Sequence, residues 1–162
     1  MLWHTPDAVT VIVPGGATGP WAAPARAIWP QAELLEPEQA VARDLSGRHL
    51  VAVGTVEQNA WLKKNWAALC LPLHLTVKGV AWARADRDAH GYELKGRLGL
   101  ITMARHPTDR LRGALIVTAA QPSALPRLEV RPASGLDFLV LDGERVLKAG
   151  LYEKSLLPWR PR

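Results

Sequence analysis

Two short stretches hold the residues with the clearest potential to bind a ligand, "VPGGATGP" (13–20) and "VGTVEQN" (53–59). Each follows an apolar run and leads into a predicted helix. Helix N-termini present free N–H groups and a partial positive charge, and this chemistry suits anions. We predict a ligand site between the two loops, and its members are Gly15, Gly16, Thr18, Gly19, Thr55, Gln58 and Asn59. The alternative is that the glycines only permit the turns.

Neither loop matches a known phosphate-binding motif closely. The stretch "GGATG" (15–19) lacks the GKS or GKT ending of a Walker loop, and it is not GxGxxG. The loops therefore indicate the place of a ligand but not its identity, and we predict no cofactor.

A histidine is the next candidate for chemistry. His106 follows an apolar run in "ITMARHPTDRLRG" (101–113), and Asp109 lies close by. A histidine at the end of a strand can act as a general base, so we add His106 to the candidate site. No GxSxG nucleophile elbow occurs, and the catalytic residues remain unassigned.

Two further groups of residues could bind or react, but each has a simpler structural interpretation. Cys70 and His74 could form a nucleophilic pair, but a free cysteine in apolar surroundings is more often a small buried residue. Asp86, Asp88 and His90 alternate in sequence, so one side of a strand could present all three to a metal ion. Their polar setting favours a hairpin loop, and we predict no metal site.

Composition limits the possible partners. The net charge is +5 and the isoelectric point is about 9.8, which permits nucleic-acid or polyanion binding, although the basic residues are scattered. No apolar stretch reaches the roughly 18 residues of a membrane span, and the N-terminus lacks the pattern of a signal peptide. We therefore expect a cytoplasmic protein with no membrane partner. The single cysteine excludes an internal disulfide.

The first half of the chain alternates strand and helix patterns. "VTVIV" (9–13) is a β-branched run, and "HLVAVG" (49–54) is apolar nearly throughout, as in strands that are covered on both faces. We predict a helix after the first, capped by Thr18 or Gly19, with Pro20 in its first turn. Thr55 and Gln58 have the spacing of a capping box, so a second helix is predicted to begin there.

The second half has the pattern of antiparallel strands. "RGALIVTAA" (112–120) follows the preceding strand after only "TDRL", and so short a link favours antiparallel pairing. "DGER" (142–145) is a hairpin signal. We predict one α/β domain over residues 9–155, with three flavodoxin-like layers and a mixed sheet, parallel in its first half and antiparallel in its second. Residues 1–8 would form an extension and 156–162 a tail.

The order of several motifs resembles an accessory α/β domain found beside bacterial prolyl-oligopeptidase-type and esterase-type hydrolases. The motifs are "GPW" (19–21), Gly54-Thr55 with Asn59, His106-Pro107, and the stretch from Asp137-Phe138 to Gly150-Leu151. This resemblance implies the fold but no chemistry. It also implies that Gly54, Thr55 and Asn59 form a fixed strand–helix junction, in which Asn59 bridges to a neighbouring loop.

These observations favour a non-catalytic binding or protein-interaction domain that uses the strand-to-helix loops. Its partner would be an unidentified protein or a small anionic or sugar ligand. One alternative is a small hydrolase or transferase at the same loops, using His106 or Asp109. Another is a basic protein that binds a polyanion or nucleic acid. Trp3 and Trp159, near the two ends, could form a partner surface, whereas Trp61 and Trp66 are predicted to lie in the core.

Overall fold

Ten strands and three α-helices are formed by residues 9–82, 94–128 and 136–152, which are those described in a computed structural model of the chain. The strands, in chain order, are β1 (Val9–Ile12), β2 (Glu33–Leu35), β3 (His49–Val53), β4 (Leu73–Thr76), β5 (Gly79–Trp82), β6 (Leu94–Lys95), β7 (Gly99–Arg105), β8 (Gly113–Ala119), β9 (Phe138–Asp142) and β10 (Arg145–Gly150). The helices are α1 (Ala22–Ile28), α2 (Pro37–Ala42) and α3 (Ala60–Asn65).

Seven strands form one mixed sheet in the order β10-β9-β7-β8-β3-β1-β2. The strands β2, β1, β3 and β8 run parallel, whereas β7, β9 and β10 continue the sheet by antiparallel pairing. We call the edge at which the four parallel strands end the carboxyl edge, and the edge at which they begin the amino edge. Candidate residues lie at both edges, and the direction of each strand decides at which edge a given residue lies.

The parallel strands β1, β3 and β8 are buried on both faces, which explains their nearly continuous apolar sequences. On one face, Val11, Val51 and Val117 pack in a cluster with Ala25 and Trp29, at α1 and its end. The opposite face holds a second cluster, which α2 and α3 share with the strands; its members include Ile12, Ala40, Leu50, Leu62 and Ile116.

A separate three-stranded sheet, β4-β5-β6, packs on the antiparallel part of the main sheet. Leu73 and Val80 from this small sheet join Leu100 and Val140 in one apolar cluster. The sequence pattern of this region indicated only a strand before the polar stretch. The extra hairpin forms at Gly79, where φ is +142° and a Cβ would overlap the backbone of Leu94, so only glycine fits there.

The structure confirms the coarse prediction of a mixed α/β fold. The sheet is parallel in its first half and antiparallel in its second, β7 and β8 pair antiparallel, and β9 and β10 form a hairpin around Gly143. The flavodoxin-like three-layer architecture is not confirmed, because the three helices have only 7, 6 and 6 residues and a small sheet packs on part of one face.

The predicted start of the first helix was wrong. Residues Gly16–Thr18 form a 3-10 turn, and α1 begins only at Ala22 after Trp21. The reason lies in the glycine loop, where Gly15 has a φ of +79° and Gly16 a φ of +52°. These left-handed conformations cannot continue into a helix, so the loop closes first and the helix follows.

No helix within the described ranges is long and apolar enough to cross a membrane. The predicted extension (1–8) and tail (156–162), with Trp3 and Trp159, lie outside those ranges.

Candidate functional site

The strand order makes the two glycine loops neighbours. β1 and β3 are adjacent and parallel, so the loops that follow them leave the same edge of the sheet. From β1 the chain passes through α1 to β2 on one side, and from β3 it passes towards β7 and β8 on the other. Open α/β sheets bind ligands at such a switch point. The loops also lie against each other. A Cβ added to Gly54, in the loop after β3, would lie 3.5 Å from Cγ of Pro14, in the loop after β1.

Asn59 holds the ends of the two strands together. Its side-chain amide donates to the carbonyl oxygens of Val53 at 2.9 Å and Ile12 at 3.5 Å, and its Oδ1 accepts from the N–H of Leu62 at 3.0 Å. The residue is fully buried. Asn59 therefore bridges β1, β3 and α3 and positions the loops, and its amide is turned into the protein.

Thr55 is also turned inward. Its hydroxyl accepts the N–H of Gln58 at 3.2 Å, and its carbonyl accepts the N–H of Asn59 at 3.0 Å, so residues 55–59 form a single closed turn. The predicted capping box at Thr55 was wrong as a helix start, because α3 begins at Ala60 and its cap is Asn59. Asn59 has an extended backbone (φ −117°, ψ 99°) that separates the turn from the helix.

The exposed part of the switch point is narrow. Gly15, Thr18 and Gln58 are exposed, whereas Gly16 is buried against Glu36 and Gly19 packs on Gly15. The Thr18 hydroxyl donates to the Gly15 carbonyl at 3.2 Å and keeps the loop closed. The side chain of Glu36 packs against Gly16, and its carboxylate accepts a backbone N–H in the capping box at the start of α2.

A groove of about 370 Å³ adjoins the glycine loop on the face covered by α1. Pro20, Trp21, Pro24 and Arg127 line it. Arg127 forms an ion pair at 2.8 Å with Glu144 of the β9–β10 turn, and both side chains are largely exposed. The carboxyl edge thus places an aromatic ring and an Arg–Glu ion pair beside the loop that follows β1. Sequence reasoning did not connect these groups, because residues 20 and 127 become neighbours only through the sheet order.

His106 does not join the loops. β7 runs antiparallel to β8, so Arg105 pairs with Gly113 at the start of β8, and His106 lies at the amino edge. The seven residues of β7 span about 20 Å. The expectation that His106 or Asp109 acts together with the glycine loops is therefore wrong, because the direction of β7 places both residues at the opposite edge of the sheet.

His106 is a buried structural histidine. Its Nδ1 accepts the N–H groups of Asp109 at 3.0 Å and Thr108 at 3.2 Å, so Nε2 carries the hydrogen and donates to the Leu45 carbonyl at 3.1 Å. Burial lowers the pKa of His106 and favours the neutral ring. Both nitrogens are thus engaged with the backbone, and the ring ties the segment around Leu45 to the β7–β8 turn.

Asp109 and His49 hold the same segments together by further hydrogen bonds. The carboxylate of Asp109 accepts from the N–H groups of Leu111 and Gly47, both at 2.8 Å, and these hydrogen bonds hold the pKa of Asp109 below its usual value. His49 accepts the N–H of Gly113 at 3.2 Å through Nδ1, and burial lowers its pKa as well. The sequence did not indicate a role for His49.

Of the remaining candidate side chains, the structure describes only that of Cys70. Cys70 is exposed, contrary to the expectation of a buried cysteine, because it ends a 3-10 turn in the left-handed conformation with φ +50°. The side chain of His74 and residues 83–93, with Asp86, Asp88 and His90, lie outside what the structure describes. Within the described ranges, no group of three or more His, Cys, Asp and Glu residues is arranged to hold a metal ion.

Comparisons with protein-family models, with curated proteins and with solved structures found no match to this chain.

Proposed function

We propose that this protein is a non-catalytic binding module that takes its ligand or partner at the carboxyl edge, on the loops after β1 and β3. One observation carries the proposal: β1 and β3 are adjacent parallel strands whose connections leave in opposite directions. This geometry forms a crevice at the carboxyl ends of the strands. The inward-turned Asn59 and Thr55 make the crevice rigid, which lowers the entropic cost of binding.

The groups around the crevice favour a neutral, hydroxyl-rich ligand such as a sugar. Arg127 supplies donors and Glu144 supplies acceptors within one ion pair, and Thr18 and Gln58 each supply both. Trp21 adds an apolar ring beside them. A small anion is less suitable, because the Arg127 guanidinium beside the groove is already paired with Glu144. A protein partner that offers exposed hydroxyl and amide groups meets the same chemistry.

The hydrolase alternative has less support, since His106 lies at the opposite edge and bonds with the backbone. The resemblance to accessory domains beside hydrolases stays a proposal and agrees with a binding role. The flavodoxin-like layering is proposed only for the parallel half, where α1 packs on one face and α2 and α3 on the other. A cytoplasmic location also stays a prediction.

A second candidate function is polyanion binding at the amino edge. Five arginines belong to the segments 43–48 and 105–112, which meet there; they are Arg43, Arg48, Arg105, Arg110 and Arg112. The affinity for a short single-stranded oligonucleotide would then fall steeply with salt, and the slope would give the number of phosphates that are neutralised. An affinity that is independent of salt would exclude this candidate.

Thermal unfolding in the presence of glucose, maltose, xylobiose, inorganic phosphate and AMP tests the main proposal. A ligand at one hundred times its dissociation constant adds about 2.7 kcal/mol of stability. We expect a sugar to raise the melting temperature, and Thr18→Ala and Gln58→Ala, both at exposed positions, to reduce that shift. Leu111→Ala, at an exposed position on the amino edge, is the matched control. A sugar-induced shift that survives in both loop variants would refute the proposed place of binding.

A further inference from the structure

The amino edge contains a cavity of about 140 Å³ that the proposed function does not use. It lies between α2, α3 and the β7–β8 turn. Trp61, Lys64 and Asn65 face it from α3, at the three- and four-residue spacing that places side chains on one side of a helix. His106 closes another wall, where it fastens the segment around Leu45 to the turn.

The floor of the cavity is apolar and reaches the sheet. Leu50 of β3 is 0% exposed and Trp61 is 4% exposed, and both line the cavity. Its volume is close to that of an engineered apolar cavity, on the order of 150 Å³, that accepts benzene. A molecule of about six to nine heavy atoms therefore fits.

At the mouth of the cavity, Lys64 has unused hydrogen-bonding capacity. Lys64 Nζ donates to the Val41 carbonyl at 3.1 Å, and no carboxylate lies within ion-pair distance of it among the described residues. An ammonium has three hydrogens, so two remain for a ligand.

The two other charged side chains at the mouth each have a partner. Arg43 donates to Glu33 at 2.6 Å. Asp44 accepts from the N–H and the hydroxyl of Ser46, both at 3.0 Å, so its carboxylate is held by that turn. The cavity thus combines an apolar floor with two cationic side chains and one carboxylate, and of the two cations only Lys64 has no carboxylate partner among the described residues.

We propose that this cavity is a binding site for a small monocarboxylate with a compact apolar body, such as a short branched-chain or aromatic acid. The body packs against Val41 and Trp61, which line the cavity, and the carboxylate accepts hydrogen bonds from Lys64. His106 is a positioning residue, because its ring nitrogens are bonded to the backbone and it acts through the wall that it fastens. The site is independent of the carboxyl edge, so its test is separate from that of the proposed function.

Titration calorimetry with benzoate and isobutyrate tests the site on the full chain at pH 7.5. Benzamide has the shape of benzoate without its charge, and we expect it to bind about tenfold more weakly because it cannot pair with Lys64. We expect Lys64→Ala to weaken benzoate binding about tenfold. Lys63→Ala is the matched control, since the adjacent Lys63 pairs with Glu57 at 3.0 Å and does not line the cavity.

A cavity-filling variant gives a second readout that does not depend on charge. Val41→Phe places a larger side chain in the cavity wall, and we expect it to abolish binding of both acids while the chain still unfolds cooperatively. Absence of benzoate and isobutyrate binding to the native chain at millimolar concentrations would overturn the proposal. So would equal weakening in Lys63→Ala and Lys64→Ala, or phosphate binding as tightly as the acids.

Discussion

Asn59 shows how one side chain can hold a candidate site in place. It satisfies two carbonyl oxygens and one N–H that come from β1, β3 and the first turn of α3. The sequence placed Asn59 in the candidate ligand site, and the resemblance implied in addition that it bridges to a neighbouring loop. Its true neighbours were not evident, because Ile12 lies 47 residues away along the chain and becomes adjacent only when β1 and β3 pair.

Asn59→Ala is expected to destabilise the protein by about 2–4 kcal/mol, because three buried backbone groups lose their partner. Urea unfolding monitored by Trp fluorescence gives this value. Gln58→Ala, at the exposed neighbouring position, is the control and should cost less than about 1 kcal/mol. Equal costs for the two variants would show that the bridge does not stabilise the loops.

His106 and His49 make stability depend on pH. Nδ1 of each ring accepts backbone N–H, and burial lowers the pKa of each below its usual value of 6.5. A lowered folded-state pKa means that the unfolded chain takes up protons first as the pH falls, so stability is retained above about 6.5 and is lost below it.

We expect the free energy of unfolding to fall between pH 7.5 and 5, and to fall less steeply in His106→Gln. Asp44 and Asp109 do not interfere, because their pKa values are lowered from 3.8 and their contribution is lost only below that value. Urea unfolding at several pH values checks this expectation. An unchanged pH slope in the variant would exclude a contribution from His106.

At the scale of elements, strand direction decides which residues meet. The short "TDRL" link correctly predicted that β7 and β8 pair antiparallel, and the same pairing carries His106 to the amino edge. The starts of α1 and α3 were harder to predict, because α1 follows a closed glycine loop and α3 is capped by Asn59 rather than by Thr55. The hairpin at Gly79 had no turn signal comparable to Asp-Gly.

Gly79→Ala tests the small sheet. A Cβ there would overlap the backbone of Leu94, and the positive φ is unfavourable for alanine. We therefore expect the free energy of unfolding to fall by more than about 2 kcal/mol. Gly47→Ala is the matched control, since Gly47 also has a positive φ (+79°) but has open space around it, and we expect about 1–2 kcal/mol. Denaturant unfolding compares the two. A cost for Gly79→Ala that does not exceed the control would contradict the packing of β5 against β6.

At the scale of the whole molecule, the sheet separates two surfaces of different chemistry. The carboxyl edge has glycine loops, a Trp-lined groove and an Arg–Glu pair, whereas the amino edge has arginines, neutral histidines and a small cavity. Composition and periodicity predicted the fold class and the place of the loops. They did not predict which residues meet at each edge, because the order of the strands depends on pairing between distant parts of the chain.

The most direct test of the account is an NMR titration of the 15N-labelled chain with maltose and xylobiose. We expect chemical-shift changes at the backbone amides of Gly15, Thr18 and Gln58, and none at Asp109, Leu111 and Arg112 on the amino edge. Changes confined to the amino edge, or no changes at sugar concentrations of several tens of millimolar, would contradict a sugar-binding role for the loops after β1 and β3.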